Sequence, residues 1–294
     1  MGTVAALAGA SLWARRLPVE WTPGNGAIHE GTLVARVVGE GSPESVLLHG
    51  LGGSSEYWGA EYEPLAMGGQ LVIPDLLGFG RSPHPAEGYG LDAQADAVAA
   101  CLVELGADRP LRVGAHSLGC LVALALAARH PDLVAEIVGF GPPLYADRDS
   151  ARVRIAKLGF VERQMAYELP FAERCCLWMC DHPRAAARLG QFLRPGIPWP
   201  IVRAGVEHNW ASYSQTFRDT LLAQSSALLV GGVKAPVVMV AGFADKIPDR
   251  SYLHLLASHH PNLRIVEREG GHDLPLTDPV WCLGQLLTPM CSPE

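Results

Sequence analysis

The chain has 294 residues, 49% of them hydrophobic, and a mean hydropathy of +0.15, which is enough for one large domain or two modest ones. Its formal charge of −7 and the absence of a basic run argue against nucleic acid as a partner. Seven cysteines, an odd number without regular spacing, are typical of a reducing compartment, so we expect a cytoplasmic protein.

The N-terminal stretch, residues 1–16, is apolar, and its positive charges, Arg15 and Arg16, follow the apolar part. A signal peptide has the opposite order, and the stretch is too short to span a bilayer. We therefore expect an amphipathic arm packed on the protein, and no membrane span.

Short β-branched runs alternate with helical segments along the outer thirds of the chain. The predicted strands are Leu33–Val38, Ser45–Leu48, Gln70–Ile73, Leu111–Gly114, Ala135–Phe140, Val237–Ala241 and Leu263–Glu267. The predicted helices are Glu56–Ala66, Leu91–Leu105, Leu118–Arg129, Phe217–Leu229, Ser251–Ser258 and Asp278–Leu287. This alternation predicts an α/β fold with a doubly wound, mostly parallel sheet, whose functional loops collect at the carboxyl edge.

A glycine-rich loop, His49-Gly50-Leu51-Gly52-Gly53, follows the second predicted strand. Its glycines allow the backbone to turn N–H groups inward, where they could stabilise a developing oxyanion. We favour the Leu51 N–H as one donor, with Gly52 as the next candidate, and Leu118 as the other donor. The alternative is a loop that only reverses the chain.

A serine lies in the sharp turn between the predicted strand Leu111–Gly114 and the apolar helix that follows. Small residues, Ala115 and Gly119, lie two positions before and after Ser117, so the segment matches G-x-S-x-G except for Ala115. Such a turn exposes the serine hydroxyl and directs a helix N-terminus at the group under attack. The pattern predicts that Ser117 is a nucleophile; a plain Ser-Gly loop is the alternative.

A serine nucleophile needs a base and an acid that orients the base. Asp245 follows the predicted strand Val237–Ala241, and His272 follows the predicted strand Leu263–Glu267. We predict Asp245 as the acid, with Asp147, after the preceding strand, as its rival.

Three other histidines compete for the role of base. His116 neighbours Ser117, but adjacent side chains diverge at a sharp turn; His49 belongs to the glycine-rich loop; and His208 lies between the outer thirds. Chain order and position at a strand end favour His272.

The segment 143–221 interrupts the alternation and contains no strong strand, so we predict a helical cap inserted into a core of residues 1–142 and 222–294. Its predicted helical stretches are Leu144–Phe160, Phe171–Cys180 and Pro183–Phe192. A cap excludes water and shapes the pocket. The candidate substrate-binding residues are Trp58, Trp178, His208, Trp210 and Phe243.

A cysteine-rich stretch in this segment contains zinc-type ligands, Cys175, Cys176, Cys180 and His182. It lacks a paired C-x-x-C and lies in apolar surroundings, which favours a buried helix face. We predict no metal and no cofactor.

Together these motifs resemble the α/β-hydrolase superfamily, in its capped serine-hydrolase branch. The resemblance includes His49–Gly52 as an H-G-x-G oxyanion loop and Pro74–Ser82 as a P-D-x-x-G-x-G-x-S turn. It also includes Ala115–Gly119 as the nucleophile elbow, Gly242–Asp245 as the acid loop and Gly271–His272 as the base loop. It implies the Ser117, Asp245 and His272 triad and an acyl-enzyme. Serine at the elbow argues against the family's dehalogenases and epoxide hydrolases, which use aspartate there.

The leading hypothesis is a serine hydrolase that cleaves an ester, thioester or lactone of a small apolar molecule. The alternatives are a C–C bond hydrolase of the meta-cleavage type, a biosynthetic cyclase or acyltransferase, and a non-catalytic ligand-binding protein.

Overall fold

The computed structural model describes residues 21–223 and 225–288, with every side chain except that of Val161. The N-terminal arm expected at 1–16 lies outside these residues. One sheet contains eight strands in the order β1-β2-β4-β3-β5-β6-β7-β8. The strands are β1 Ala27–Glu30, β2 Val34–Val38, β3 Pro43–Leu48, β4 Gln70–Pro74, β5 Leu111–His116, β6 Val134–Phe140, β7 Val237–Gly242 and β8 Leu263–Arg268.

Twelve α-helices are formed by the described residues: α1 Leu91–Glu104, α2 Leu118–Arg129, α3 Arg148–Ala156, α4 Phe160–Ala166, α5 Pro170–Asp181, α6 Pro183–Leu193, α7 Trp199–Ala204, α8 Trp210–Thr216, α9 Ser226–Gly231, α10 Arg250–His259, α11 Leu274–Thr277 and α12 Pro279–Leu287. Short 3₁₀ turns occur at Ser55–Tyr57, Ala60–Ala66 and Pro131–Leu133, and a π-helix at Phe217–Leu222. None of the helices in the described ranges is long and apolar enough to cross a bilayer.

The predicted α/β class is confirmed. Strand β2 is antiparallel to β1 and β4, and all other neighbouring strands are parallel. All seven predicted strands form, with ends that differ by one or two residues. The edge strand β1 was not predicted, because its four residues are mostly exposed and carry no apolar alternation.

The sheet is covered on both faces, as a doubly wound fold requires. Along β7, Val237 and Met239 belong to one apolar layer, and Val238 and Val240 belong to the other. Helix α2 lies in the first layer and is buried on nearly every side, which explains its uninterrupted Leu, Val and Ala sequence.

Two predicted helices are wrong in detail. The segment predicted as Glu56–Ala66 forms two 3₁₀ turns, because Gly59 is extended and Pro64 has no N–H to donate. The segment predicted as Phe217–Leu229 is a π-helix followed by the separate helix α9. In the π-helix the hydroxyl of Thr220 donates to the carbonyl of Thr216, a back-bond that accompanies distorted helices.

The predicted cap, residues 143–221, lies between β6 and β7. Helices α3 to α9 and the π-helix lie in this interval, and no strand forms between residues 141 and 223. The predicted stretch Leu144–Phe160 is shorter than expected: α3 ends at Ala156, and α4 begins at Phe160.

Candidate active site

The turn between β5 and α2 holds Ser117 in a backbone conformation that residues other than glycine rarely adopt. Its φ is +52° and its ψ is −120°, and its N–H donates to the carbonyl of Phe140 over 2.8 Å. A non-glycine residue at positive φ is strained and persists only where the surroundings fix it. Gly119 is required by close approach, because a Cβ there would lie 2.7 Å from the Leu48 carbonyl oxygen.

The loops after β7 and β8 bring an acid and a histidine together. Nδ1 of His272 lies 2.8 Å from Oδ2 of Asp245, while Oδ1 of Asp245 accepts a hydrogen bond from the N–H of Ile247. The side chain of Asp245 is 1% exposed. A proton on Nδ1, facing the carboxylate, leaves the lone pair on Nε2 of His272 free to act as a base.

The neighbouring backbone leaves little room around this pair. Gly141 has a φ of +64°, and a Cβ there would lie 2.8 Å from Nδ1 of His272 and 3.0 Å from Oδ2 of Asp245. The N–H of Ala244 donates to the carbonyl of Gly270 over 2.8 Å, which joins the acid loop to the base loop. A larger residue at position 141 would therefore collide with the His272 and Asp245 pair.

The rival acid, Asp147, lies elsewhere. It is the N-cap of α3, is exposed, and accepts a hydrogen bond from the N–H of Ser150 over 2.8 Å. Hydrogen bonds from Ser150 lower the pKa of the Asp147 carboxyl. The residue stabilises a helix terminus.

His116 has a contact that the sequence analysis missed. Its Nε2 lies 3.0 Å from the backbone carbonyl of His272, and its ring stacks on Tyr57 with centroids 4.5 Å apart. Burial, together with the charge of His272, lowers the pKa of His116 to about 3. Neutral His116 therefore joins the elbow to the base loop by a hydrogen bond between residues 156 positions apart.

His49 fixes the glycine-rich loop from behind. Its Nδ1 lies 2.8 Å from the carbonyl of Gly50, and its Nε2 accepts the N–H of Leu76 over 2.9 Å. Burial lowers the pKa of His49, so the ring stays neutral with one donor and one acceptor. In the described part of the chain, the N–H groups of Leu51 and Leu118 have no acceptor, so both can donate to a bound group.

The turn over residues 74–82 is a buried scaffold. Asp75 has no exposed area, and its carboxylate accepts the N–H groups of Ser55 over 2.6 Å and of Arg81 over 2.9 Å. A Cβ at Gly80 would lie 2.5 Å from Oδ2 of Asp75, so only glycine fits. The turn presents the N–H of Leu76 to His49 and thereby supports the loop.

The five predicted substrate-binding residues lie in different environments. The prediction for Trp58 needs correction: its ring has no exposed area and packs on Tyr62 and Phe140, so it cannot line an accessible pocket. The placements of the other four are as follows. Trp178 is exposed and stacks on His182, Phe243 is exposed beside Arg250, Trp210 packs partly buried against the core, and His208 is buried.

His208 is linked to the glycine-rich loop through Tyr213. It forms a β-bridge with Phe79, and its ring lies 5.0 Å from that of Tyr213. Tyr213 in turn lies 3.5 Å from the position that a Cβ of Gly52 would occupy. Burial lowers the pKa of His208 to about 4.

The cysteine-rich stretch makes other contacts. Sγ of Cys180 lies 3.3 Å from the carbonyl of His208, and Nδ1 of His182 lies 3.1 Å from the carbonyl of Trp178. Cys176 is buried, which raises the pKa of its thiol to about 12. No group of three His, Cys, Asp or Glu in the described ranges has the geometry to hold a metal.

We expect acid to destabilise the fold through its buried histidines. An unfolded histidine binds a proton near pH 6.5, whereas folded His208 and His116 do so only near 4 and 3. The unfolded state therefore binds more protons over this window, and stability falls as pH drops below 6.5. At pH 5 each histidine should lower the free energy of unfolding by about 2 kcal/mol relative to pH 7.

Urea unfolding of the wild type and of His208→Gln at pH 7 and pH 5 measures this effect. The variant should lose about 2 kcal/mol less than the wild type between the two pH values, whatever its stability at pH 7. Equal losses in the two proteins would contradict the prediction.

A family model described as the alpha/beta hydrolase fold matches residues 46–279, most of the chain. RutD of Escherichia coli O7:K1, a candidate carbamate hydrolase by name, is 27% identical over 263 residues, which is 85% of this chain and 92% of RutD. "Probable lysophospholipase BODYGUARD 4" of Arabidopsis thaliana is 32% identical over 156 residues, or 49% of this chain. The chain spans 37% of the length of BODYGUARD 4 and 22% of that of BODYGUARD 3.

Solved structures agree on the fold. An E-2-(acetamidomethylene)succinate hydrolase superposes with a TM-score of 0.69 and 21% identity, over 86% of this chain and 93% of that one. A thermophilic esterase from Thermogutta terrifontis superposes with a TM-score of 0.61 and 22% identity, over 93% and 97%. With the strand order and the family match over residues 46–279, these findings show that the chain belongs to the alpha/beta hydrolase family.

Proposed function

We propose that the chain is a serine hydrolase in which Ser117 is the nucleophile, His272 the base and Asp245 the acid. The observation that carries the proposal is the 2.8 Å contact between His272 and Asp245, formed beside an elbow that holds Ser117 at positive φ. Ser117 follows β5, Asp245 follows β7 and His272 follows β8, so all three come from the carboxyl ends of parallel strands, which supports the roles that acyl transfer requires.

In the proposed mechanism, Nε2 of His272 removes the proton from the hydroxyl of Ser117, and the serine oxygen attacks the substrate carbonyl. Asp245 stabilises the imidazolium that forms, and His272 then returns the proton to the leaving group. Water, activated by the same histidine, releases the acid from the acyl-enzyme.

The N–H groups of Leu51 and Leu118 are the proposed oxyanion donors. The absence of an internal acceptor at either amide supports this role, because a donor committed to the protein could not serve a developing charge. The neutral ring of His49 holds the loop from behind, so the donor is positioned before substrate binds.

We propose an ester, thioester or lactone of an apolar molecule as the substrate. The hydrolase names of RutD and BODYGUARD 4 agree with hydrolysis as the reaction. Residues 143–221 are the proposed cap, because their helices enter the fold between β6 and β7, and Tyr213 and Gly205 reach the neighbourhood of Gly52.

A fluorophosphonate probe tests the proposal directly, because it reacts with an activated serine and reports the modified residue by peptide mass. We expect labelling at Ser117 in the wild type and none in His272→Ala. Labelling elsewhere, or unchanged labelling in His272→Ala, would overturn the assignment. A protein that binds esters without being labelled would be a ligand-binding member of the family.

We expect the cap residue His208 to affect substrate choice more than serine reactivity. His208→Ala should change the ratio of kcat/KM between a short and a long acyl ester by about tenfold, the scale of one lost pocket contact. Labelling by a small phosphonate should stay near the wild-type rate. His259→Ala is the matched control, because it makes the same replacement at an exposed histidine of α10, outside residues 143–221. Labelling slowed as severely as in His272→Ala would place His208 in the catalytic machinery.

A further inference from the structure

The exposed aromatic side chains of this protein are concentrated in one region. Six of the seven large aromatic side chains that are exposed within the described residues lie between residues 143 and 221. They are Phe160, Tyr167, Phe171, Trp178, Phe192 and Trp199; the seventh is Phe243. A soluble surface rarely gathers apolar rings in this way unless it meets another apolar phase.

Two consecutive helices in this stretch of the chain, α5 and α6, each expose apolar side chains. Helix α5 exposes Leu177 and Trp178 near its end, and the ring of Trp178 stacks on His182, the residue that connects it to α6. Helix α6 exposes Leu189 and Phe192, and Phe192 is 81% exposed. We call these four residues the apolar patch.

Helix α6 buries small apolar residues and exposes large ones. Its small residues, Ala186 and Ala187, are buried against the protein, whereas Leu189 and Phe192 point outward. Folding alone would favour the reverse arrangement, because the large apolar side chains gain most from burial. We therefore infer that the outward face of α6 contacts an apolar partner other than the rest of this chain.

Positive charges accompany the patch. Arg184 and Arg188 are exposed on α6, which contains no acidic residue, and in the described ranges neither arginine has an ion pair. Residues 143–221 carry eleven Arg and Lys against eight Asp and Glu, whereas the rest of the chain carries twelve against twenty-two. The segment is thus positive on a protein that is otherwise strongly negative.

We propose that the apolar patch, with Arg184 and Arg188, docks on an anionic phospholipid bilayer. Aromatic side chains insert at the headgroup level of a membrane, and flanking arginines pair with anionic headgroups. The charge partition also sets the orientation, since the negative core is repelled by the surface that attracts the patch.

The same charges disfavour a second copy of this chain as the occupant. A symmetric dimer formed through the patch would bring Arg184 and Arg188 of each copy toward those of the other, and no acidic residue of α6 would compensate them. An anionic bilayer accommodates the aromatic rings at its headgroup level and supplies negative charges for the arginines.

The patch is connected to the candidate active site. Arg194 follows α6 directly, and its guanidinium lies 2.8 Å from Oδ2 of Asp273, the residue after His272. The segment that follows α6 therefore contacts the loop that carries the proposed base.

Vesicle flotation of the full chain tests the proposal, with phosphatidylcholine alone and with phosphatidylcholine and phosphatidylglycerol mixed two to one. We expect binding to the mixed vesicles at low salt, and weaker binding at high salt or without the anionic lipid. Phe192→Ser should weaken partitioning about tenfold, and Arg184→Glu with Arg188→Glu should weaken it at least about tenfold. Val280→Ser, a control at an equally exposed apolar position on α12, should bind as the wild type does.

Three outcomes would overturn the proposal: no binding to the mixed vesicles, binding that is unaffected by Phe192→Ser, or equal losses in Phe192→Ser and Val280→Ser. Sedimentation velocity provides a further test, because a dimer that Phe192→Ser dissociates would identify a second copy as the occupant. Circular dichroism of each variant establishes that it is folded. None of these measurements depends on catalysis, so failure of the proposed hydrolase activity leaves the test intact.

Discussion

Ser117→Ala is expected to lower ester turnover by about 10³-fold or more, and to leave the fold intact. The hydroxyl is the reacting group in the proposed mechanism, whereas the backbone of the elbow is fixed by the hydrogen bond from the Ser117 N–H to Phe140, which alanine retains. Near-wild-type turnover in a purified, folded Ser117→Ala protein would contradict the assignment.

Ser117→Gly distinguishes the effect of losing the nucleophilic hydroxyl from the effect of backbone strain at position 117. Glycine adopts a φ of +52° without steric cost, so this variant should unfold at a higher temperature than Ser117→Ala while being equally inactive. The relief of strain should amount to about 1 kcal/mol. Equal stability of the two variants would show that the elbow conformation carries no cost.

The sheet and its functional edge could be predicted because their signals are local. Runs such as Val237–Gly242 are buried on both faces of a parallel sheet, so β-branched sequence alone marks them. Polar residues that follow such runs must lie at the carboxyl edge, which is why the sequence alone predicts the pairing of Asp245 with His272.

The remaining features depend on contacts between distant residues. The hydrogen bond from His116 to the carbonyl of His272 joins two loops 156 residues apart, and no pattern around either residue indicates it. Trp58 follows a functional loop in sequence, yet packing on Tyr62 and Phe140 removes it from any pocket. The exposure of the large apolar side chains of α6 could not be predicted either, because amphipathic periodicity distinguishes two faces of a helix without indicating which face is buried.

Asp245→Asn is expected to lower kcat by about 10⁴-fold, as the same change does in other serine triads. The amide oxygen can still accept the N–H of Ile247, which directs the amide NH₂ toward Nδ1 of His272. Nδ1 must then accept, the proton moves to Nε2, and the ring can no longer take the proton of Ser117.

Asp147→Asn is the matched control for this change, because it makes the same replacement at an acid outside the site. Asparagine is as good an N-cap as aspartate, so α3 should keep its terminus, and both kcat and the unfolding temperature should stay near wild type. Steady-state kinetics of the two variants on one ester make the comparison. A larger loss in Asp147→Asn than in Asp245→Asn would mean that the acid is supplied after β6 rather than after β7, and that the 2.8 Å contact with His272 serves the fold rather than the chemistry.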